Sequence, residues 1–128
     1  YTQVAVMRRL PMKRILHITS RTEWEKAKNL GTYRSDSLAS EGFIHCSTAA
    51  QVIGSANRFF KGRENLVILS IDPDRVSSEI LYEGIESSNL FPHIYGELNI
   101  DAVLRVTDLE AGADGVFVLP LAPIDRDE

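Results

Sequence analysis

The run Gly42-Phe43-Ile44-His45-Cys46-Ser47-Thr48-Ala49-Ala50-Gln51-Val52-Ile53-Gly54-Ser55-Ala56-Asn57-Arg58-Phe59-Phe60 reads as a strand followed at once by a helix. Residues 42–46 are apolar and β-prone. Thr48 followed three residues later by Gln51 is a capping box, and Val52, Ile53, Ala56, Phe59 and Phe60 recur at helical spacing until Gly62. The same pattern stands upstream. Arg14 to Thr19 reads as a strand, Ser20 with Glu23 and Thr22 with Glu25 are capping boxes, and Trp24, Ala27, Lys28 and Leu30 continue to Gly31. Thr32 to Glu41 is rich in serine and lacks periodicity, so it is expected to be a surface loop carrying Tyr33, placed to act as a lid. Downstream only strands are expected: Leu66 to Ile71, closed by Asp72-Pro73, then Glu79 to Tyr82, His93 to Tyr95, Ala102 to Leu109 and Val116 to Leu119. Strands outnumber helices and the helices come early. The expected class is therefore α+β with a mainly antiparallel or mixed sheet, since a doubly wound fold needs a helix between every pair of strands.

A chain of 128 residues, 44% hydrophobic, suits one domain with a sizeable core. Residues 1–11 read as a flexible N-terminal arm, 12–121 as a single globular domain and 122–128 as a C-terminal tail. The arm has Arg8 and Arg9 after its apolar patch, the wrong order for a signal peptide. A net charge of −4 argues against sequence-independent binding to DNA or to an anionic membrane, which rests on many cation–phosphate contacts. One cysteine and no long apolar run point to a cytoplasmic protein without a membrane span. Neither standard glycine-rich phosphate loop is present.

The three histidines each interrupt an apolar run: His17 within Ile15–Thr19, His45 within Gly42–Ser47 and His93 within Phe91–Gly96. An imidazole in a half-buried strand needs hydrogen-bond partners, so three of them in three strands point to a shared polar crevice. Strand alternation puts His17 with Ile15 and Thr19, His45 with Phe43 and Ser47, and His93 with Phe91 and Tyr95. Cys46 then points away from His45 and reads as a small buried hydrophobe rather than as half of a dyad. Pro92 places the third stretch at an edge or bend. Trp24, Phe59 and Phe60 read as core, whereas Tyr33 and Tyr95 are open between packing and ligand contact. Arg21 and Arg58 are open between a phosphate contact and a solvated helix face. No histidine pair has close ligand spacing, so no metal ligand is assigned. No acid is placed to orient a histidine beside Ser37 or Ser40, which leaves a serine-hydrolase reading unsupported.

His17-Ile18-Thr19, Gly42 to Ser47 with Gln51, Ala56 to Phe60 and Phe91 to Gly96 together resemble the domain of unknown function 952 family, over Met12 to Leu119. A more distant likeness is to the fold shared by ADP-ribosyltransferases and RNA 2′-phosphotransferases. That likeness implies a compact split-sheet α+β sandwich with two early helices, binding NAD in a cleft. It assigns His17 to a ribose hydroxyl and Ser47 to the shelf at the start of the second helix, where Thr48 and Ala49 offer backbone N–H groups to a phosphate. The stacking aromatic falls at Ile44 with Phe43 beside it, and the acid falls at His93 with Glu97 as stand-in.

The expected site is catalytic at His17, His45 and His93. Thr19, Ser20, Tyr33, Phe43, Ser47, Thr48 and Tyr95 are expected to contact the ligand. The leading function is binding of NAD or a related nucleotide or phosphorylated small molecule, with transfer of ADP-ribose or a 2′-phosphate. The alternatives are a non-catalytic nucleotide-binding or interaction module and a histidine-based metal-dependent hydrolase. The oligomeric state is left open.

Overall fold

The computed structural model describes residues 5–7, 14–121 and 123–124. Its centre is β5 (Leu66–Ile71), every residue of which is buried. That explains why β5 reads as a continuous apolar run: alternate side chains enter two separate cores. Val67, Leu69 and Ile71 join one with Ile15, Trp24, Tyr33, Ile44, Tyr82 and Ile94. Leu66 and Ile68 join the other with Leu16, Ile18, Val52, Ala56, Phe117 and Ile124. On either side of β5 run β2 (Ile15–Ser20) and β9 (Val103–Leu109), both antiparallel to it.

The chain leaves β2 directly into α1 (Arg21–Leu30), whose cap is the one expected: Ser20 Oγ accepts from Glu23 N at 3.0 Å. Gly31 ends it in the left-handed region, φ 86°, donating its N–H to the Ala27 carbonyl. Trp24 and Ala27 face the first core, as the spacing predicts. The next segment differs from expectation. In place of a loop, Thr32–Tyr33 forms β3, paired with β8 (Leu98–Asn99), and Asp36–Glu41 forms a short helix, α2. No residue of α2 is buried, so the helix carries no apolar periodicity by which it could be recognised.

A second sheet has the order β1-β6-β7-β4: β1 is Ala5–Met7, β6 Glu79–Gly84, β7 Phe91–Tyr95 and β4 Ile44–His45. All its pairings are antiparallel. Thus β7 is an interior strand, which corrects the expectation of an edge at Pro92. Cys46 N donates to the Pro92 carbonyl at 2.9 Å, so Pro92 turns its polar groups toward β4. Its missing N–H faces Cys46, so this pair keeps one of its two bonds, at the end of β4 rather than within it.

Helix α3 (Val52–Phe59) begins later than Thr48. A turn precedes it, in which Gln51 N and Val52 N both donate to the Thr48 carbonyl. Val52 and Ala56 enter the second core, but Phe59, expected there, is 66% exposed. Phe60 is half-buried against the same core. Val116 to Leu119 is not a strand: Phe117 bridges Ala111 and is buried, while Val116, Val118 and Leu119 are exposed. Of the expected arm, residues 5–7 form β1 and the rest lies outside the described residues, as does most of the expected tail, where Ile124 is buried in the second core. The class is α+β, with three helices rather than two in the first half of the chain. Among the described residues no helix is long and apolar enough to cross a membrane.

Candidate functional site

The β4–β7 register brings two histidines together. Ile44 pairs with Ile94 and His45 with His93, while the Cys46–Pro92 position carries the hydrogen bond. Hydrogen-bonded positions alternate along an antiparallel ladder, so His45 and His93 form the non-bonded kind of pair, in which side chains on one face approach most closely. Their rings stand edge to face with centroids 5.2 Å apart. Phe43, two residues before His45 on the same face, stacks on His93 at 4.0 Å and touches His45 at 4.8 Å and Tyr95 at 5.2 Å. The opposite face of this sheet carries Ile44, Tyr82 and Ile94 into the first core.

Both imidazoles have carboxylate partners that sequence reading did not assign. Leu81 lies opposite His93, so Glu83 is its diagonal neighbour. His93 Nδ1–H donates to Glu83 Oε1 at 2.7 Å, and Tyr95 OH donates to the same oxygen at 2.5 Å. Glu83 and His93 are each 4% exposed. Burial pushes the His93 pKa down, opposed by the bond to Glu83. A neutral imidazole with its proton on Nδ1 leaves Nε2 as a lone pair, and among the described residues nothing bonds to it. His45 is exposed, and its Nε2–H donates to Glu41 Oε2 at 3.0 Å from the last residue of α2. The absence of an acid to orient a histidine is thereby corrected. A signal for Glu83 existed: a carboxylate directly after the Glu79–Tyr82 strand candidate, in alternation with Leu81. For Glu41 there was none, because α2 itself was not legible.

Glu97, expected as the stand-in acid, lies elsewhere: it is held by Arg34 Nη1 at 2.6 Å on the exposed surface. Arg21 pairs with Asp108 and Arg58 sits 5.2 Å over the Phe59 ring, so neither faces the histidine pair.

His17 does not join the ring cluster. It lies on the first-core face of β2, 7% exposed, with both nitrogens engaged: Nδ1 with the His45 carbonyl at 2.6 Å and Nε2 with Tyr33 OH at 2.7 Å. A carbonyl only accepts, so Nδ1 carries the proton and Tyr33 donates to Nε2. Thr19, 7% exposed, lies beside the phenol and partly offsets the effect of its burial. Burial holds the His17 pKa down at about 4 and pushes that of Tyr33 up to about 12, so both are neutral at pH 7. The expected ligand contacts Thr19 and Tyr33 are thus buried rather than part of a ligand surface. Ser20 is used as the α1 cap. Ser47 is buried, bridging Leu16 through its backbone and Ser55 through its hydroxyl at 3.2 Å. The Thr48 N–H is taken by Gln51 Oε1 at 2.9 Å and is not open to a phosphate. Cys46 is buried and burial pushes its thiol pKa up, as expected of a packed side chain rather than a nucleophile. Of the expected residues, Phe43, His45, His93 and Tyr95 come together, with Glu41 and Glu83 added.

Among the described residues no group of three or more His, Cys, Asp or Glu side chains is arranged to hold a metal ion. A separate hollow of about 520 Å³, lined by Arg63, Asn65, Leu109, Glu110 and neighbouring glycines, contains none of the expected residues.

A sequence profile described as "Protein of unknown function (DUF952)" matches residues 18–106. Among solved structures, the crystal structure of protein CC0527 from Caulobacter crescentus, a structural genomics target, is 35% identical with a TM-score of 0.75. The match covers 82% of this chain and 93% of that one. Its solution NMR structure is also 35% identical, with a TM-score of 0.65, over 80% of this chain and 90% of that one. No curated protein matches.

Proposed function

The chain belongs to the DUF952 family, and on that premise we propose that its outer-sheet cluster is an acid–base site acting on a nucleotide-class small molecule. The observation that carries the reading is the buried Glu83–His93 bond at 2.7 Å beside a second, exposed imidazole 5.2 Å away. A carboxylate that accepts from Nδ1 fixes the tautomer and aims the Nε2 lone pair, the arrangement by which a histidine becomes a general base. In this reading His93 Nε2 takes the proton of a hydroxyl that attacks the ligand. His45, backed by Glu41, gives a proton to the group that leaves. Tyr95, 36% exposed and bonded to Glu83, forms the rim with His45. The fixed negative charge that His93 cannot supply is supplied by Glu83.

The nucleotide class rests on the likeness to the ADP-ribosyltransferase and RNA 2′-phosphotransferase fold, and NAD is the first ligand to test. In the transferase form of the reading, the glycosidic C1′–N bond of NAD breaks and nicotinamide leaves with the electron pair as a neutral molecule, so this form takes no proton from His45, whose part there is to hold the ligand. An acceptor oxygen bonds to C1′ and its proton passes to His93. The near-complete burial of His93 favours a second reading, a nucleotide-binding module without turnover.

The test is a thermal-shift series with NAD, ADP-ribose, AMP and inorganic phosphate, followed by assay of nicotinamide release and of 2′-phosphate transfer. A ligand that binds only the folded state raises the melting temperature with its concentration. The expected result is a saturable NAD or ADP-ribose shift that is lost in His45→Ala and, where turnover occurs, product formation that disappears in His93→Ala. Stabilisation without product selects the binding module. The absence of any nucleotide-induced shift refutes both.

A further inference from the structure

We infer that His17, held in its Nδ1–H tautomer by the His45 carbonyl and seated by Tyr33, is a positioning residue that fixes the backbone beneath His45, rather than a group that touches ligand. The inference rests on the acid–base reading only in giving His45 a ligand-facing role. Its geometric basis is independent.

Strand β4 is two residues long and pairs on one side only with β7. In that ladder the hydrogen-bonding position falls at Cys46–Pro92, so the His45 carbonyl is directed off the ladder, away from β7. A short strand with its carbonyl unanswered is poorly held at the residue whose imidazole needs a fixed direction. His17 Nδ1–H answers that carbonyl at 2.6 Å, from a strand of the other sheet and 28 residues earlier in the chain. The bond therefore ties the two sheets together directly beneath the histidine pair. The adjoining backbone bridge, with Leu16 N to Ser47 O at 2.8 Å and Ser47 N to Leu16 O at 2.7 Å, holds the chain two residues further on and does not reach His45.

A neutral imidazole can carry its proton on either nitrogen, and only the Nδ1–H form can make this bond. The His45 carbonyl, which only accepts, decides the tautomer, and Tyr33 answers the Nε2 lone pair that remains. The Tyr33 hydroxyl donates to Nε2 at 2.7 Å. The rings of His17 and Tyr33 are 5.1 Å apart and tilted by 60°, and both are nearly sealed from solvent. Tyr33 and His17 thus form a directional relay that ends on the backbone of His45.

The experiment is imidazole 1H–15N and carbonyl 13C NMR on the 15N,13C-labelled protein, with Tyr33→Phe, His17→Asn and His17→Leu, read together with NAD titration. In the wild type, His17 is expected to be protonated at Nδ1 alone and unchanged between pH 7 and pH 5. Tyr33→Phe leaves Nε2 without its donor and should move the His17 Nε2 resonance and, through the loosened ring, the His45 carbonyl and ring resonances while the His93 Nδ1 proton stays in place. His17→Asn keeps a donor at the Nδ1 position and should restore the His45 carbonyl resonance, whereas His17→Leu should not. Where NAD binds the wild type, Tyr33→Phe and His17→Leu should weaken it about tenfold, the scale of losing an outer partner that orients a site residue, with His17→Asn recovering most of the loss. A His17 proton on Nε2, or His45 resonances unmoved by Tyr33→Phe, overturns the inference. Failure of NAD to bind the wild type refutes the nucleotide reading and leaves the NMR result to decide the positioning role alone.

Discussion

Removing the Glu83 carboxylate tests the core of the candidate site. Glu83 Oε1 accepts from both His93 Nδ1 and Tyr95 OH, and Glu83 and His93 are each 4% exposed. Glu83→Ala leaves two donors without their acceptor, one buried and one at the rim. An unsatisfied buried donor costs about 1–3 kcal/mol, and the half-exposed tyrosine can recover a water, so a loss of about 2–4 kcal/mol is expected. Glu83→Gln keeps a carbonyl oxygen in place and loses only the charge assistance, so about 1–2 kcal/mol is expected. Urea unfolding followed by circular dichroism measures both. For a chain of this size 1 kcal/mol corresponds to about 3–5 °C in melting temperature, so Glu83→Ala should melt roughly 10 °C lower. A double-mutant cycle with His93→Ala isolates the pair, with an expected coupling of about 1–3 kcal/mol. A Glu83→Ala protein within about 0.5 kcal/mol of wild type, or a coupling near zero, would refute the claim that Glu83 holds His93.

Three further outcomes follow from the geometry. His17 has a folded-state pKa of about 4 against an ordinary value of 6.5, so between those values the unfolded chain binds more protons than the folded one. Its contribution is complete above pH 6.5 and is lost as the pH falls toward 4, about 3 kcal/mol in all; His17→Asn should flatten stability against pH in that window, and an unchanged slope would contradict the assignment. Asn57 clasps the Phe117 backbone in both directions, at 3.0 and 2.8 Å, so Asn57→Ala should cost about 1–3 kcal/mol and speed amide exchange at Phe117 relative to β5. Gly96 has φ 153°, and an added Cβ would lie 2.4 Å from Ser78 Oγ, so Gly96→Ala should destabilise by about 1–3 kcal/mol, checked by the same unfolding assay.

The strongest signals spanning a few residues were read correctly, and the contacts joined across strands were not. The Ser20 cap, the Gly31 stop, β2, β5, and the facing of Cys46 away from His45 all follow from signals spanning a few positions. A capping box acts over three residues and strand alternation over two, so the chain displays them in one line. The helix α2 escaped because none of its residues is fully buried and Leu38 alone packs on the core, and Pro92 misled because its cost depends on which neighbour its missing donor faces. Four of the ten expected site residues meet in one cluster. The meeting of His45 with His93 could be proposed but not placed, since a register shift of one residue would have turned the two rings to opposite faces.

By itself the sequence determined the α+β class, the two longest helices, the central strand and the face on which each histidine lies, because these depend on backbone conformation and local burial. Only the tertiary structure decided which groups those histidines touch. Glu83 reaches His93 through the β6–β7 register, and His17 turns to Tyr33 and the His45 carbonyl rather than to the exposed cluster. The reason is physical: hydrogen bonding and desolvation act over about 3 Å in space, and two sheets packed on one core bring together atoms that the chain keeps 10 to 28 residues apart.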